Sequence, residues 1–429
     1  MGRAATGWKR WSTDDRSTLQ AMTPLEDAQE FVLGSCPPRA TVTMRREDAN
    51  GLVLAAPVVS REVVPPFDNT AVDGYAVRSA DVATAAAEPV ELIVAGEIAA
   101  GAAPDRPVGP GEAIRIMTGA PMPEGADAVV MVEDSERLDA GDDDVERVRL
   151  SATVPAGAAV RRAGDDVQVG DEIFPAGVMI TPAIQAVLAS VNASEVAVFP
   201  RLKVAVLSTG DELIDDGSPL ELGQIRESNK TMLAETGCEV VDLGVVRDDE
   251  AELERVLRGA AETCDAIVSS GGVSMGDYDV VKAVLGRIAD MTWMQMAIKP
   301  AKPFAFGTLV GPDGASVPIF GLPGNPVSSL VSYELMARPA LRRMMGHDRL
   351  TRTSLVAVAD TDFDRNPDGK VHFARVTGEF GDDGRYHVRP VSAQGSHQLA
   401  ATASADAMAV IPDGDGLPAG TDVAVLLLH

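Results

Sequence analysis

Three segments of the 429-residue chain place small and polar residues where a phosphate-bearing ligand could be held and cleaved. They are Ser208-Thr209-Gly210-Asp211-Glu212, Ser269-Ser270-Gly271-Gly272 and Gly321-Leu322-Pro323-Gly324-Asn325-Pro326, each following or ending an apolar run. In open α/β sheets, ligands bind outside the carboxyl ends of the strands. Glycines there admit a ligand close to the backbone, and a following helix N-terminus offers N–H groups and a positive dipole to an anion. One such loop is an ordinary strand-to-helix turn. Three in one sheet point to a ligand. The loops contain neither G-x-x-x-x-G-K-[ST] nor G-x-G-x-x-G, so the common nucleotide loops are absent.

Five carboxylates flank these loops: Asp211, Glu212, Asp248, Asp277 and Asp279. Hard oxygen ligands on loops suit Mg²⁺, which takes one or two carboxylates plus substrate phosphates. In a chain of formal charge −27 most carboxylates are solvated surface, and only the strand-end position singles these out. Lysine is scarce, at seven residues against thirty arginines, yet Lys299 and Lys302 lie three apart in MAIKPAKPFAFG. Each precedes a proline, which forces extended backbone on the lysine. The segment is either a rigid cationic clamp for an oxyanion or an edge strand carrying two solvated lysines. PFDNTAVDGYAV (Pro66–Val77), IRIMTGAPMPEG and VRRAGDD set polar turn residues beside apolar strands, where Asx turns are the simplest reading. The five histidines have neither H-E-x-x-H nor paired spacing, so a histidine zinc site or a Ser-His-Asp triad has no support.

The elements that must position these groups divide the chain. Residues 1–22 read as a tail. TPLEDAQEFVLG predicts a helix with Thr23 as cap, Pro24 at the first helical position, Glu26 closing a capping box and Gly34 as stop. TPAIQAVLASVNA predicts a second helix from Thr181, and the helix-plus-β region spans 23–198 with its inserted β-rich part at about 60–170. The acidic stretch Asp139–Glu146 reads as an exposed hairpin or loop. Over 199–348, strands alternate with helices near Ser228–Thr236, Asp249–Thr263, up to Ile288, and from Pro326 toward Met345. That rhythm predicts a doubly wound, parallel α/β sheet. Residues 349–429 read as β, with NPDG (Asn366–Gly369) and DDG (Asp382–Gly384) as hairpin turns.

Composition limits the function classes. The sequence is 45% apolar and 24% charged, which excludes a wholly disordered or fibrous chain. An acidic balance of this size argues against binding nucleic acid or an anionic membrane, both of which need basic patches. Three widely spaced cysteines with no C-x-x-C pair fit a reducing cytoplasm. The first twenty residues hold no apolar h-region, and no run of about 18 apolar residues occurs. The expectation is a soluble cytoplasmic protein.

PFDNTAVDGYAV, IRIMTGAPMPEG, RRAGDD, VLSTGDEL, SSGGVSMGDYD, IKPAKPFAFG, GLPGNPVSS and QGSH together resemble the molybdopterin molybdenumtransferases, the MoeA family that includes the gephyrin E domain. The resemblance runs from about residue 20 onward. It implies a multi-domain α/β plus β protein: an elongated β-rich N-terminal region, a central molybdopterin-binding-like α/β domain and a small C-terminal β-barrel-like domain. The implied reaction is insertion of molybdate into adenylylated molybdopterin, with Mg²⁺-assisted release of AMP to give molybdenum cofactor. Alternatives are a molybdopterin adenylyltransferase or a non-catalytic, gephyrin-like scaffold. Carried over by motif, the catalytic residues would be Asp73, Glu212, Asp248, Asp279, Lys299 and Lys302, with Glu212 and Asp279 holding Mg²⁺. Thr118, Asp166, Thr209, Gly210, Asp211, Asn229, Gly271, Gly272, Ser274, Pro323, Gly324, Asn325, Pro326, Ser328, Arg375 and Ser396 would bind substrate. Of these, Ser328, Arg375 and Ser396 would join the two lysines in a molybdate pocket. The family further implies a homodimer whose site draws on both subunits, with the upstream molybdopterin adenylyltransferase as a second partner. Two positions depart from the pattern: Ala301 stands where many relatives have K-P-G-K-P, and Gln295 where some carry lysine.

Overall fold

The computed structural model describes residues 22–138, 145–233, 237–273, 280–311 and 314–428. Two compact units result. One spans 42–198, and the other joins the segment before Val42 to the chain from Phe199 onward.

The second unit is built on a six-stranded sheet. Its order is Glu239–Val246, Lys203–Thr209, Ala266–Ser270, Ser316–Leu322, Pro303–Val310, Ala289–Gln295. The first four strands pair in parallel, as the βα rhythm predicts. The last two extend the sheet antiparallel, which the sequence pattern did not anticipate. The cause is connection length: the short link from Val310 to Ser316 cannot make a parallel crossover, which takes a dozen residues or more.

Central strands are buried along most of their length, as parallel strands covered on both faces must be. Period-two alternation divides their side chains. Ala205, Leu207, Ile267 and Ile319 pack under the helices Glu250–Thr263 and Val280–Ile288. Val204, Val206, Val268, Phe306 and Phe320 pack under Leu25–Gly34 and Arg338–Met344. Asp249 caps its helix by accepting from the Glu252 amide at 2.8 Å. The helix starting at Pro326 passes through a π-helical turn at Tyr333–Ala337 before continuing to Met344.

The two Thr-Pro segments behave differently. Thr181 does cap, accepting from the Ile184 amide. Thr23 does not: its N–H donates to the Gln295 carbonyl at 2.7 Å and its C=O accepts from Ala297 at 2.8 Å. Tertiary pairing has taken the residue that local sequence would use as a cap. Pro24 is consequently the residue preceding the helix, and no side chain caps it.

After Leu350, Val371–Phe380, Tyr386–Pro390, Ser354–Ala359, Asp422–Leu427 and Ala407–Ile411 close into a barrel, because Val371–Phe380 pairs with both neighbours. The DDG turn joins two paired strands as expected. NPDG does not form a hairpin, since the strand before it, Phe363–Asp364, pairs instead with Gly416–Leu417. Ile298–Lys299 adds to the barrel beside Val371–His372.

The unit 42–198 contains a second six-stranded sheet, ordered Ala128–Met131, Gly74–Val77, Glu112–Ile116, Val90–Ile98, Arg147–Leu150, Ser135–Leu138. Most of the acidic stretch lies outside the described residues, but the strands flanking it pair antiparallel. No helix among the described residues is long and apolar enough to cross a membrane.

Candidate functional site

At the carboxyl ends of the parallel strands, a buried polar network includes two atoms with no partner among the described residues. Asn229 donates through Nδ2 to Ser270 Oγ and to the Gly324 carbonyl, both at 2.7 Å. Ser270 Oγ donates to the Pro323 carbonyl at 3.3 Å. The Asn229 Oδ1 and the Ser269 hydroxyl are buried with no partner among the described residues. A buried polar group left unpaired costs about 1–3 kcal/mol, so such orphans mark a place where a ligand or water completes the bonding. Thr209 is also buried, and Ser208 Oγ donates to the Glu227 carboxylate at 2.8 Å.

The loop glycines are required there. Gly271 has φ +98°, and a Cβ on it would lie 2.6 Å from the Thr209 carbonyl oxygen. Gly210 has φ +144°, and a Cβ there would meet the Glu212 carboxylate at 2.5 Å. Asp248 donates its N–H to Asp211 Oδ1 at 3.2 Å, linking two of the loops. Ser274, Asp277 and Asp279 lie outside the described residues. Among the described residues, no three His, Cys, Asp or Glu side chains are grouped to hold a metal.

The lysine loop and the barrel carry the other predicted cationic residues of the same unit. Among the described lysines, Lys203, Lys230 and Lys370 pair with carboxylates, and Lys282 lies over the Trp293 ring. Lys299 and Lys302 are exposed and have no carboxylate within ion-pair reach among the described residues. Between them Ala301 is buried at φ +80°, a left-handed conformation that a side chain resists. Lys299 pairs in register with His372, and Arg375 follows on the same barrel strand.

Arg375 is 2% exposed, its Nε has no partner, and no carboxylate pairs with it among the described residues. Its longer contacts are Nη1 to the Phe373 carbonyl at 3.4 Å and Nη2 to the Gly395 carbonyl at 3.5 Å. Burial pulls the guanidinium below its ordinary value. The loop carrying Ser396 is tied to the other edge of the group, where the Ser396 carbonyl accepts from Val327 at 3.0 Å beside the buried Ser328. Buried charge is ordinarily paired. A buried guanidinium with no carboxylate beside it among the described residues has the charge and donors to bind an oxyanion.

The unit 42–198 gathers its three motifs as well. Asp73 Oδ1 accepts from the Thr118 amide at 2.6 Å and the Thr118 hydroxyl at 2.8 Å, and these bonds hold the carboxyl below its usual range. Asp68 accepts from Arg162 Nη1 at 2.6 Å and the Ala163 amide at 2.8 Å. Thr70 donates to Ala120, and Ala71 to Ala159, so all three loops meet. Asp166 is exposed in the same turn and donates its N–H to the Val64 carbonyl. Asp68 was not among the residues singled out by sequence, although the PFDNT segment contained it.

Comparison with known proteins accounts for nearly the whole chain. Residues 23–192 match the MoeA N-terminal region (domain I and II), 205–343 a probable molybdopterin binding domain, and 357–428 the MoeA C-terminal region (domain IV). A Haemophilus influenzae protein named molybdopterin molybdenumtransferase is 35% identical over 410 residues, covering 94% of this chain and 98% of the relative. The chain belongs to the MoeA family. A Nostoc relative of the same name is 38% identical over 395 residues, covering 89% of this chain and 87% of its own. The MoeA-family fold is seen directly in the crystal structure of the Pyrococcus horikoshii molybdopterin biosynthesis MoeA protein: TM-score 0.77, 32% identity, covering 95% of this chain and 100% of that one.

Within this MoeA-family chain, the structure brings together Thr209, Gly271, Asn229, Pro323 and Gly324 at one set of strand ends. It links Asp211 with Asp248, and Asp73 with Thr118. Glu227, which binds both Ser208 and the Lys230 amide, was missed by sequence reasoning. Its only signal was its place one residue before SNK, at the start of a helix.

Proposed function

We propose that the protein is a molybdopterin molybdenumtransferase, inserting molybdate into adenylylated molybdopterin with release of AMP. The observation that carries this reading is the buried Arg375 guanidinium with no carboxylate partner among the described residues, on the strand that pairs with Lys299. Lys299, Lys302 and Arg375 would draw in the molybdate oxyanion, and the Ser328 and Ser396 hydroxyls would hydrogen-bond its oxygens. The strand-end loops of Thr209, Gly210, Gly271, Gly272, Ser274 and Pro323–Pro326, with Asn229, would hold the pterin and its phosphates. Thr118 fixes the orientation of the Asp73 carboxylate toward substrate, and Asp166 would assist from the same turn.

The donor set also suits Mg²⁺. The Glu212 carboxylate has no hydrogen-bond or ion-pair partner among the described residues, and one or two carboxylates suffice when phosphates complete the shell. Glu212 and Asp279 would hold the ion, and Asp248, bonded through its N–H to Asp211, would assist. Bound there, Mg²⁺ would offset negative charge on the phosphate oxygens. The protein works, on this reading, as a cytoplasmic homodimer receiving its substrate from a molybdopterin adenylyltransferase.

The test is AMP release by purified protein from adenylylated molybdopterin. Release that requires added molybdate supports the reading. Release at the same rate without molybdate, or none at all, overturns it.

A further inference from the structure

We infer that Gln394 is a positioning residue for the anion pocket, acting through Arg375. The inference rests on the reading of that pocket given above. No carboxylate among the described residues orients the Arg375 guanidinium, and its two Nη contacts are long, at 3.4 and 3.5 Å. Its direction is therefore set by the backbone that carries it. On one edge that backbone pairs with Met408. On the other edge the neighbouring strand ends at Pro390, opposite Val376, and beyond it the Val391 N–H still donates to the Arg375 carbonyl at 3.0 Å, which leaves the Arg375 N–H without a backbone partner on that edge.

Gln394 completes the ladder with its side chain. Its Oε1 accepts from the Arg375 N–H at 3.0 Å, and its Nε2 donates to the Arg375 carbonyl at 2.8 Å. Nε2 also reaches the Val391 carbonyl at 3.4 Å. The amide thus accepts the bond from the Arg375 N–H that Val391 leaves unmade and shares the Arg375 carbonyl with the Val391 N–H, completing the exchange expected of an adjacent antiparallel strand. The following residue, Gly395, supplies the carbonyl nearest Nη2, and the next, Ser396, is tied to Val327 beside Ser328. One side chain therefore sets the relative placement of three pocket groups. Gln394 is itself exposed, so its replacement removes these bonds without opening the core.

The experiment compares Gln394→Met, which keeps length and loses the amide, and Gln394→Asn, which is too short to span both bonds. Each is made alone and in an Arg375→Met or Arg375→Lys background. Molybdate is titrated by AMP release and by calorimetry, adenylylated molybdopterin is titrated separately, and thermal midpoints are recorded. Both Gln394 variants should raise the molybdate half-saturation about tenfold, leave pterin affinity within about twofold, and add little once Arg375 is already replaced. An unchanged molybdate dependence, or a full tenfold added on top of the Arg375 variants, overturns the inference. So does equal loss of both ligands with a lowered midpoint, which would make Gln394 merely structural. If the Arg375 variants leave molybdate dependence unchanged, the pocket reading itself fails.

Discussion

At the scale of single residues, charge arithmetic makes the lysine loop testable. A dianionic oxyanion must approach a protein of net charge −27, but at physiological salt the Debye length is about 8 Å and distant acid is screened. Two ammonium groups with no carboxylate partner dominate the field close by. Lys299→Gln or Lys302→Gln should raise the molybdate concentration for half-maximal AMP release about tenfold, a loss of about 1.4 kcal/mol, while pterin affinity moves much less. Collapse of pterin binding with unchanged molybdate dependence would instead assign the lysines to the pterin phosphate. Ala301 between them makes a second, thermodynamic test. Its left-handed φ costs roughly 1–2 kcal/mol, which glycine would relieve. Against that stand roughly 0.5–1 kcal/mol of added unfolded-state freedom and about 0.8 kcal/mol for the buried methyl. Ala301→Gly should therefore change urea stability by less than about 1 kcal/mol. A valine there adds bulk to a buried, strained site, and Ala301→Val should destabilise by more than about 2 kcal/mol.

At the scale of elements, the helix running from Pro326 to Met344 carries its own electrostatic device. Glu334 is 6% exposed and accepts from both the Nε and Nη2 of Arg352 at 2.8 Å, with Arg338 at 3.7 Å. Glu334→Ala leaves two half-buried cations facing each other and should cost about 3–5 kcal/mol by urea denaturation, far more than an exposed pair would. Just beyond the helix end, burial and then the nearby Arg342 and Arg338 push the His347 imidazole down to about 4. The unfolded chain takes up that proton near 6.5, so stability falls as pH drops from about 6.5 and levels off near 4. The span is at most about 3 kcal/mol, and His347→Gln should flatten the acid side of the thermal-midpoint curve. His387, held between Asp360 and Asp383, is raised instead. Its contribution is present below about 6.5 and is lost as pH rises, so His387→Gln should act on the opposite flank. These elements also mark what the sequence made legible. Four parallel strands, the Asp249 and Thr181 caps and the strand-end loops follow from local pattern. Thr23 and the NPDG turn do not, because distant segments decided both, and the antiparallel strands follow from a short link that the βα pattern does not register. Among site residues, the motifs located Arg375, but its unbonded Nε and the clasp of Gln394 appear only once the barrel is closed.

At the scale of the whole molecule, the motif residues fall into two separate units: Asp73, Thr118 and Asp166 in 42–198, and the strand-end, lysine and barrel groups in the other. Each cluster is internally bonded, yet neither alone has both the pinned Asp73 carboxylate and the cationic pocket. If catalysis needs both, and the pairing occurs between subunits of a dimer, each defect is confined to one of the two composite sites. A heterodimer of Asp73→Ala and Glu212→Ala subunits then contains one site with both defects and one with neither. Random exchange of equal amounts gives about half heterodimers, each with one intact site, so about a quarter of wild-type AMP release should return. Exchange must be shown independently, for example with differently tagged subunits. It should also be run at moderate salt, because bringing two bodies of charge −27 together at low ionic strength opposes reassociation. Exchange without any recovered activity would place both clusters of each working site in one chain. Recovery near a quarter cannot arise from a site within one subunit, because every such site in the mixture retains a defect.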